Sequence, residues 1–375
     1  MRVIVAPDKF AGTLTAVQAA NAMRAGWLAR RAADDVCCHP MSDGGPGFCA
    51  VLAASLTGSE PVAVRSSDPL GRPVTATVLV DVSHGRRVVY VESAQAVGLH
   101  LLRLDERDPE RTSSSGLAAL LAEALRLRAD RVVVGLGGSA TNDGGSGLLS
   151  ALAALAAEEP DLTDRLRAVD LVVATDVDNP LLGLSGASAV FGPQKGASRE
   201  AVARLEGRMQ EWVRAQRGVA EVADVPGAGA AGGLGAALFS LGGRRAPGAD
   251  LVAAAIGLED AVATADLVLT GEGSYDATSL RGKVVAAVAR FAQQAALPCL
   301  VIAGQVGVGQ REAAAHGVDE CLATAELAGS VAAAMEAPAQ WVEAAAHRLA
   351  GSWGGAAVDA PSARGSQDDA ERNLE

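Results

Sequence analysis

The sequence predicts a two-domain α/β protein whose main element is a parallel sheet covered by helices on both faces. Short β-branched runs alternate with Ala/Leu-rich amphipathic stretches, and several of those runs lead straight into loops rich in Gly and Asp. A chain of 375 residues, 49% of them hydrophobic, also has enough apolar content for two ordinary cores.

Taken in order, the expected strands are 3–6, 36–40, 131–135, 171–175, 267–270 and 300–303, all but 36–40 compact runs rich in Val, Ile or Leu. The main expected helices are 15–31, 116–127, 199–216, 283–295 and 339–350, with a further helical stretch at 148–157. From 61 to 93 the pattern changes to alternating strands with turn signals at Asp68-Pro69-Leu70-Gly71 and Ser83-His84-Gly85, which predicts antiparallel hairpins. A domain boundary is therefore expected near residue 60. Residues 1–60 with about 260–350 form one expected domain, and about 61–259 the second. From Gly351 to Glu375 the chain turns polar and small, too poor in apolar residues to offset the entropy of ordering, so a disordered tail is expected.

A formal net charge of -12 argues against nucleic-acid and acidic-membrane partners. An anionic small molecule is still compatible, because a few cations and backbone amides make a local positive pocket. The cysteines Cys37, Cys38, Cys49, Cys299 and Cys321 are odd in number and sit mostly in apolar runs, as reduced core residues do. With no signal-peptide pattern and no apolar run long enough to span a bilayer, the expected compartment is the cytoplasm.

Lysine occurs only at Lys9, Lys195 and Lys283, although Lys and Arg together number 32, and each lies in or beside a glycine-containing loop. Where the chain keeps lysine instead of arginine, a compact ammonium is expected to matter. The densest loop is 135–145, Gly-Leu-Gly-Gly-Ser-Ala-Thr-Asn-Asp-Gly-Gly, between a strand and a helix. Its glycines permit close backbone approach, and its amides favour an anion, so it reads as a phosphate site. Lys283 falls at the first turn of a helix, where a cation opposes the macrodipole unless an anion is also there. Carboxylates gather at strand ends: Asp43, Asp176, Asp178, Glu272 and Asp276. Residues two apart in extended chain point the same way, so Asp176 and Asp178 are expected to present oxygens to one Mg²⁺.

Other chemistries fit less well. Gly282-Lys283 is followed by Val284 and Ala277 occupies the required glycine position, so no P-loop is present. Gly227, Gly229 and Gly232 match Gly-x-Gly-x-x-Gly without a preceding strand and read as close packing. The five histidines show neither zinc spacing nor a triad pattern.

Together these segments resemble the bacterial glycerate kinases of type 1. The matching stretches are Ala6-Pro7-Asp8-Lys9-Phe10, Met41-Ser42-Asp43-Gly44-Gly45, Asp68-Pro69-Leu70-Gly71-Arg72-Pro73-Val74, 137–145, Asp176-Val177-Asp178-Asn179-Pro180-Leu181, 190–197, 226–235 and Thr270-Gly271-Glu272-Gly273. The resemblance implies a flavodoxin-like domain containing the N-terminus, a second discontinuous α/β domain, and a site between them. It implies phosphorylation of D-glycerate by ATP with Mg²⁺, the 2-hydroxyl being favoured. On this reading Asp176 is the base or a metal ligand, and Asp178 and Asp43 help hold Mg²⁺ or orient the hydroxyl. Lys195, Lys283 and the loop of Gly137, Gly138, Ser139, Thr141, Asn142 and Gly144 neutralise phosphates, with Glu272 on the nucleotide side. Asp8 and Lys9 lie on the glycerate side. The expected partners are glycerate and ATP, with room for a homodimer. Three features depart from the family pattern: Ala11 and Pro46 stand where a lysine and a glutamate are usual, and 148–167 is short. They leave open a kinase for another hydroxy or sugar acid, or a weakly catalytic nucleotide- or metabolite-binding homologue.

Overall fold

A computed structural model describes residues 1–353 except His84 and Arg281. From residue 354 the expected tail lies outside the described residues, while 351–353 complete the helix Pro338–Trp353. Eleven strands are described: β1 Arg2–Val5, β2 Asp35–Cys38, β3 Glu60–Ser67, β4 Pro73–Asp81, β5 Val88–Glu92, β6 Arg131–Gly135, β7 Asp170–Ala174, β8 Arg244–Ala246, β9 Leu267–Tyr275, β10 Cys299–Val306 and β11 Glu320–Ala323. They make two sheets, in the orders β11-β10-β9-β1-β2 and β3-β4-β5-β6-β7-β8. The first is parallel throughout. In the second, β3, β4 and β5 pair antiparallel and the remaining neighbours pair parallel.

Side-chain alternation divides each parallel strand between two cores. Val3 and Val5 pack with Met23 and Trp27 of the helix Ala16–Arg30 and with Val342 and Leu349 of Pro338–Trp353. Ile4 faces the other way, towards Val285 and Val288 of the helix Val284–Gln294. In the second sheet Val132, Val134, Leu171 and Val173 pack against Leu117–Arg126 and neighbouring helices, whereas Val133 and Val172 join the cluster that contains Ile4 and Val268. Helices Phe48–Ser55 and Gly248–Ala255 contribute to that cluster, so the two sheets share a core. Each buried Val or Leu contributes about 1.5–3 kcal/mol, and a shared core resists separation of the sheets.

Where the two sheets meet at their carboxyl ends, backbone touches backbone. A Cβ on Gly135 would lie 2.4 Å from the Gly44 carbonyl oxygen, and one on Gly137 would lie 2.3 Å from the Gly45 Cα. The buried Glu92 at the end of β5 fixes the same joint. Its carboxylate accepts from the Gly47 amide at 3.1 Å and the Cys49 amide at 3.2 Å, at the start of the helix Phe48–Ser55, where negative charge is favoured.

Strands β9 and β10 run further than expected. Gly271, Glu272 and Ser274 remain paired with Ile302, Ala303 and Gln305. The glycines that suggested a loop are there because the neighbouring strand passes too close for a side chain: a Cβ on Gly271 would lie 1.9 Å from the Ile302 oxygen. β8 and β11 were not anticipated, being short and half-buried. Gly229 and Gly232 press on the carbonyls of Pro180 and Thr141, as the close-packing reading of their motif expected. The five cysteines are free thiols.

Gly137→Ala is expected to lower stability by about 1–3 kcal/mol through overpacking at the joint. Gly207→Ala, on the exposed face of the helix Arg199–Ala215 with nothing within 4 Å, should instead raise it by up to about 1 kcal/mol. Thermal unfolding midpoints of the two variants should move in opposite directions from the parent.

Candidate active site

Both sheets turn their carboxyl ends towards one region, as open α/β sheets do when they bind ligands. The loops after β1, β2 and β9 bring Asp8, Lys9, Asp43 and Asp276 together, with Glu272 near the end of β9. With Lys283, Gln305, Thr324 and Met335 they line a cleft of about 380 Å³. The loops after β6 and β7 bring Gly137, Gly138, Ser139, Asp176 and Asp178 around a second cleft of about 830 Å³. Asp43 and Lys283 line both, so the two clefts meet at a carboxylate and an ammonium.

The Lys9 ammonium lies 3.7 Å from Asp8 and 3.5 Å from Asp43, longer than charge-assisted hydrogen bonds usually run. Burial depresses the Lys9 ammonium, yet the two aspartates outweigh it and hold it above its ordinary value. Burial also raises the carboxylates. For Asp43 the Lys9 charge and the Gly45 amide, which donates at 3.0 Å, overcome that effect and keep the group below the usual range. For Asp8 they do not, and burial raises it to about 6.

Asp176 is raised to about 7 by burial and by the negative charge of Asp43. One of its oxygens accepts from the Gly248 amide at 2.8 Å, while Oδ2 is buried without a partner. Glu272 also reaches about 7, chiefly through burial, and its Oε1 has no partner. At neutral pH the site therefore holds carboxylates that burial makes costly to ionise, next to ammonium groups only partly used.

The expected site residues fall into three groups. Asp8, Lys9, Asp43, Glu272 and Lys283 lie around the first cleft, and Gly137, Gly138, Ser139, Asp176, Asp178 and Lys195 around the second. Thr141, Asn142 and Gly144 do not line either one. Beyond Ser139 the chain turns inward, with Ala140 N–H donating to the Val97 carbonyl and Gly144 N–H to the Gly232 carbonyl. Thr141 and Asn142 are consequently buried.

Lys195 sits beneath this loop at 2% exposure and donates to Ser139 Oγ at 2.9 Å and to the Thr141 carbonyl at 2.6 Å. Burial lowers its ammonium to about 7. It thus fastens the loop from below. Lys283 stands at the N-terminal boundary of the helix Val284–Gln294 with no side-chain capping bond, and it donates to Thr278 Oγ1 at 3.3 Å.

Asp176 and Asp178 are not displayed as a pair. β7 ends at Ala174, so strand alternation no longer governs these positions, and Asp178 turns outward to Arg245 at 2.7 Å. Asp143, within the glycine loop, accepts from Ser114 Oγ and from the amides of Ser114, Gly145 and Gly147, which makes it a structural hub. Sequence reasoning missed Glu92, Thr278, Gln305 and Met335. Gln305 could have been found from its place at the end of a strand; nothing in the pattern marks Met335.

The chain matches the model of the glycerate kinase family over residues 3–354. It is 36% identical over 372 residues to a glycerate kinase of Halalkalibacterium halodurans, covering 93% of this chain and 97% of the relative. To the glycerate 2-kinase of Escherichia coli K12 it is 35% identical over 342 residues, covering 85% and 89%. Among solved structures it is similar to a Salmonella typhimurium LT2 protein assigned as glycerate kinase 2, with a TM-score of 0.74, 33% identity and coverage of 94% and 98%. With the ordered motifs, the two facing sheets and the shared clefts all in agreement, the chain belongs to the glycerate kinase family.

Proposed function

We propose that this kinase transfers the γ-phosphoryl group of ATP to the 2-hydroxyl of D-glycerate, giving 2-phosphoglycerate and ADP. The observation that carries the reading is the meeting of the two clefts at Asp43 and Lys283. A volume of about 830 Å³ suits a nucleotide, and a smaller acid fits the neighbouring space. The amides of Gly137 to Ser139 and the Lys283 ammonium are suited to the phosphates, with Lys195 holding the loop in shape. Lys9 is suited to the glycerate carboxylate.

In the transfer, the acceptor oxygen bonds to phosphorus as the bond from phosphorus to the ADP oxygen breaks. The hydroxyl proton passes to Asp176 Oδ2, the buried oxygen with no other partner. Positioning and charge neutralisation account for most of the catalysis. Glu272 Oε1, likewise buried without a partner, is a hard oxygen of the kind that would hold Mg²⁺, which leaves Asp176 Oδ2 free for the proton. Among the described residues no three His, Cys, Asp or Glu side chains are placed to hold one metal ion together, so water and phosphate oxygens would complete the coordination, as they commonly do for this ion. Bound there, Mg²⁺ would offset negative charge on the transferring phosphoryl group. Asp178 can join that set only when its pair with Arg245 opens. Free thiols and the use of ATP support a cytoplasmic setting, and among the described residues no helix is long and apolar enough to cross a membrane.

Purified protein with Mg²⁺, ATP and D-glycerate should release ADP only when glycerate is present; glycerate-independent release, or none, defeats the reading. Asp176→Asn should lower kcat by roughly 10²-fold or more. In the parent enzyme kcat/KM should climb as pH rises to about 7 and then level, because the base must be ionised.

The same group affects stability with the opposite sign. Its folded-state value lies above the unfolded one, so its contribution is fully present below pH 3.8 and lost as pH rises through about 7. Asp176→Asn should therefore melt higher than the parent at pH 8 and no higher at pH 4. Lys195→Met, which strips two partners from beneath the glycine loop, should raise the KM for ATP by roughly 10–100-fold in steady-state assays.

A further inference from the structure

Beside the first cleft lies a groove of about 530 Å³, between the turn and helix start at 11–18 and the segment 46–51. Its wall is mostly aliphatic: Ala11, Leu14, Val17, Met41, Pro46 and Val51. Met41 and Val51 are buried, so this wall is continuous with the core and firmly held. The groove is also continuous with the acceptor side of the site, since Asp8, Lys9, Ala11 and Thr13 line both spaces. Ala11 and Pro46 both face it.

Glycerate needs none of this space. A three-carbon acid displaces only on the order of four or five waters of about 30 Å³ each. A molecule whose carboxylate rests on Lys9 borders the groove, because Lys9 lines both spaces, and an aliphatic wall gains only from an aliphatic occupant. An additional charged or strongly polar ligand is disfavoured, because among the described residues Lys9 is the one cation lining the groove and is already flanked by two aspartates.

We infer that this groove receives the carbon tail of the acceptor, so that the enzyme phosphorylates 2,3-dihydroxy acids bearing an alkyl group at C3 and prefers them to glycerate. This rests on the proposed transfer to a hydroxy acid and specifies the class of acid. The chemistry of transfer is unchanged. Each methylene taken from water into such a wall improves kcat/KM by up to roughly fourfold, and three of them by more than tenfold.

The test compares D-glycerate with 2,3-dihydroxyhexanoate, which keeps both hydroxyls and adds three carbons, by following ADP release and the phosphorylated product. A kcat/KM at least tenfold higher for the six-carbon acid is expected. Ala50 is exposed and lines the groove, so Ala50→Trp should fill the space and bring the ratio of the two acids below twofold, with an unchanged circular dichroism spectrum establishing that the variant is folded. Turnover of glycerate with no advantage for the longer acid overturns the inference and leaves the glycerate reading standing. An advantage that survives Ala50→Trp likewise overturns it, since the tail would then lie elsewhere. If neither acid is phosphorylated, the proposed function falls and the inference falls with it.

Discussion

Gly44 and Gly45 lie against Gly135 and Gly137 with no side chain between them, and the site depends on that contact. It brings the end of β6 against the loop that follows β2, two segments from different sheets. Asp43 precedes the glycines on one side, and Ser139 follows them on the other. A methyl group at the joint would force the loops apart by ångströms, in a site where misplacement by about 1 Å can cost 10²-fold in rate. Glu92 below the joint, Lys195 beneath the glycine loop and the core shared by both sheets all hold the same juxtaposition.

Charge in the site is arranged at some cost. Asp8, Asp43, Asp176 and Glu272 lie along clefts that Lys9 and Lys283 also line, in a region where burial already disfavours ionisation. Surroundings of this kind favour protonated carboxyls at Asp8, Asp176 and Glu272. A cation with a polyanion would offset both sets of charge, which is how a site that disfavours its own ionised carboxylates can be complementary to a charged transition state. The carboxylates that weaken the fold are the ones best suited to move a proton near neutral pH.

Much of this could be read from the sequence, for identifiable reasons. The parallel strands were evident because burial on both faces demands unbroken runs such as Val3-Ile4-Val5. The lysines and carboxylates were evident because each follows a strand or sits beside glycines. Less could be read where glycine has two meanings: at Gly271 it marks a tightly paired strand, at Gly137 a contact between loops, and the chain alone does not distinguish them. The inward turn that buries Thr141 and Asn142 depends on carbonyls at Val97 and Gly232, far away in sequence. The turning of Asp178 towards Arg245 depends on where β7 stops, and a difference of one residue there changes the direction of a side chain.

The central claim is that two ligands meet between the sheets, at Asp43 and Lys283. A crystal structure of the protein with glycerate and a non-hydrolysable ATP analogue tests it most directly. The account predicts the triphosphate against the amides of Gly137 to Ser139, its terminal phosphate beside Lys283, and the glycerate carboxylate on Lys9 with its 2-hydroxyl turned towards Asp176. A triphosphate bound at the glycines around Gly227 and Gly232, or a glycerate out of reach of the terminal phosphate, would contradict it.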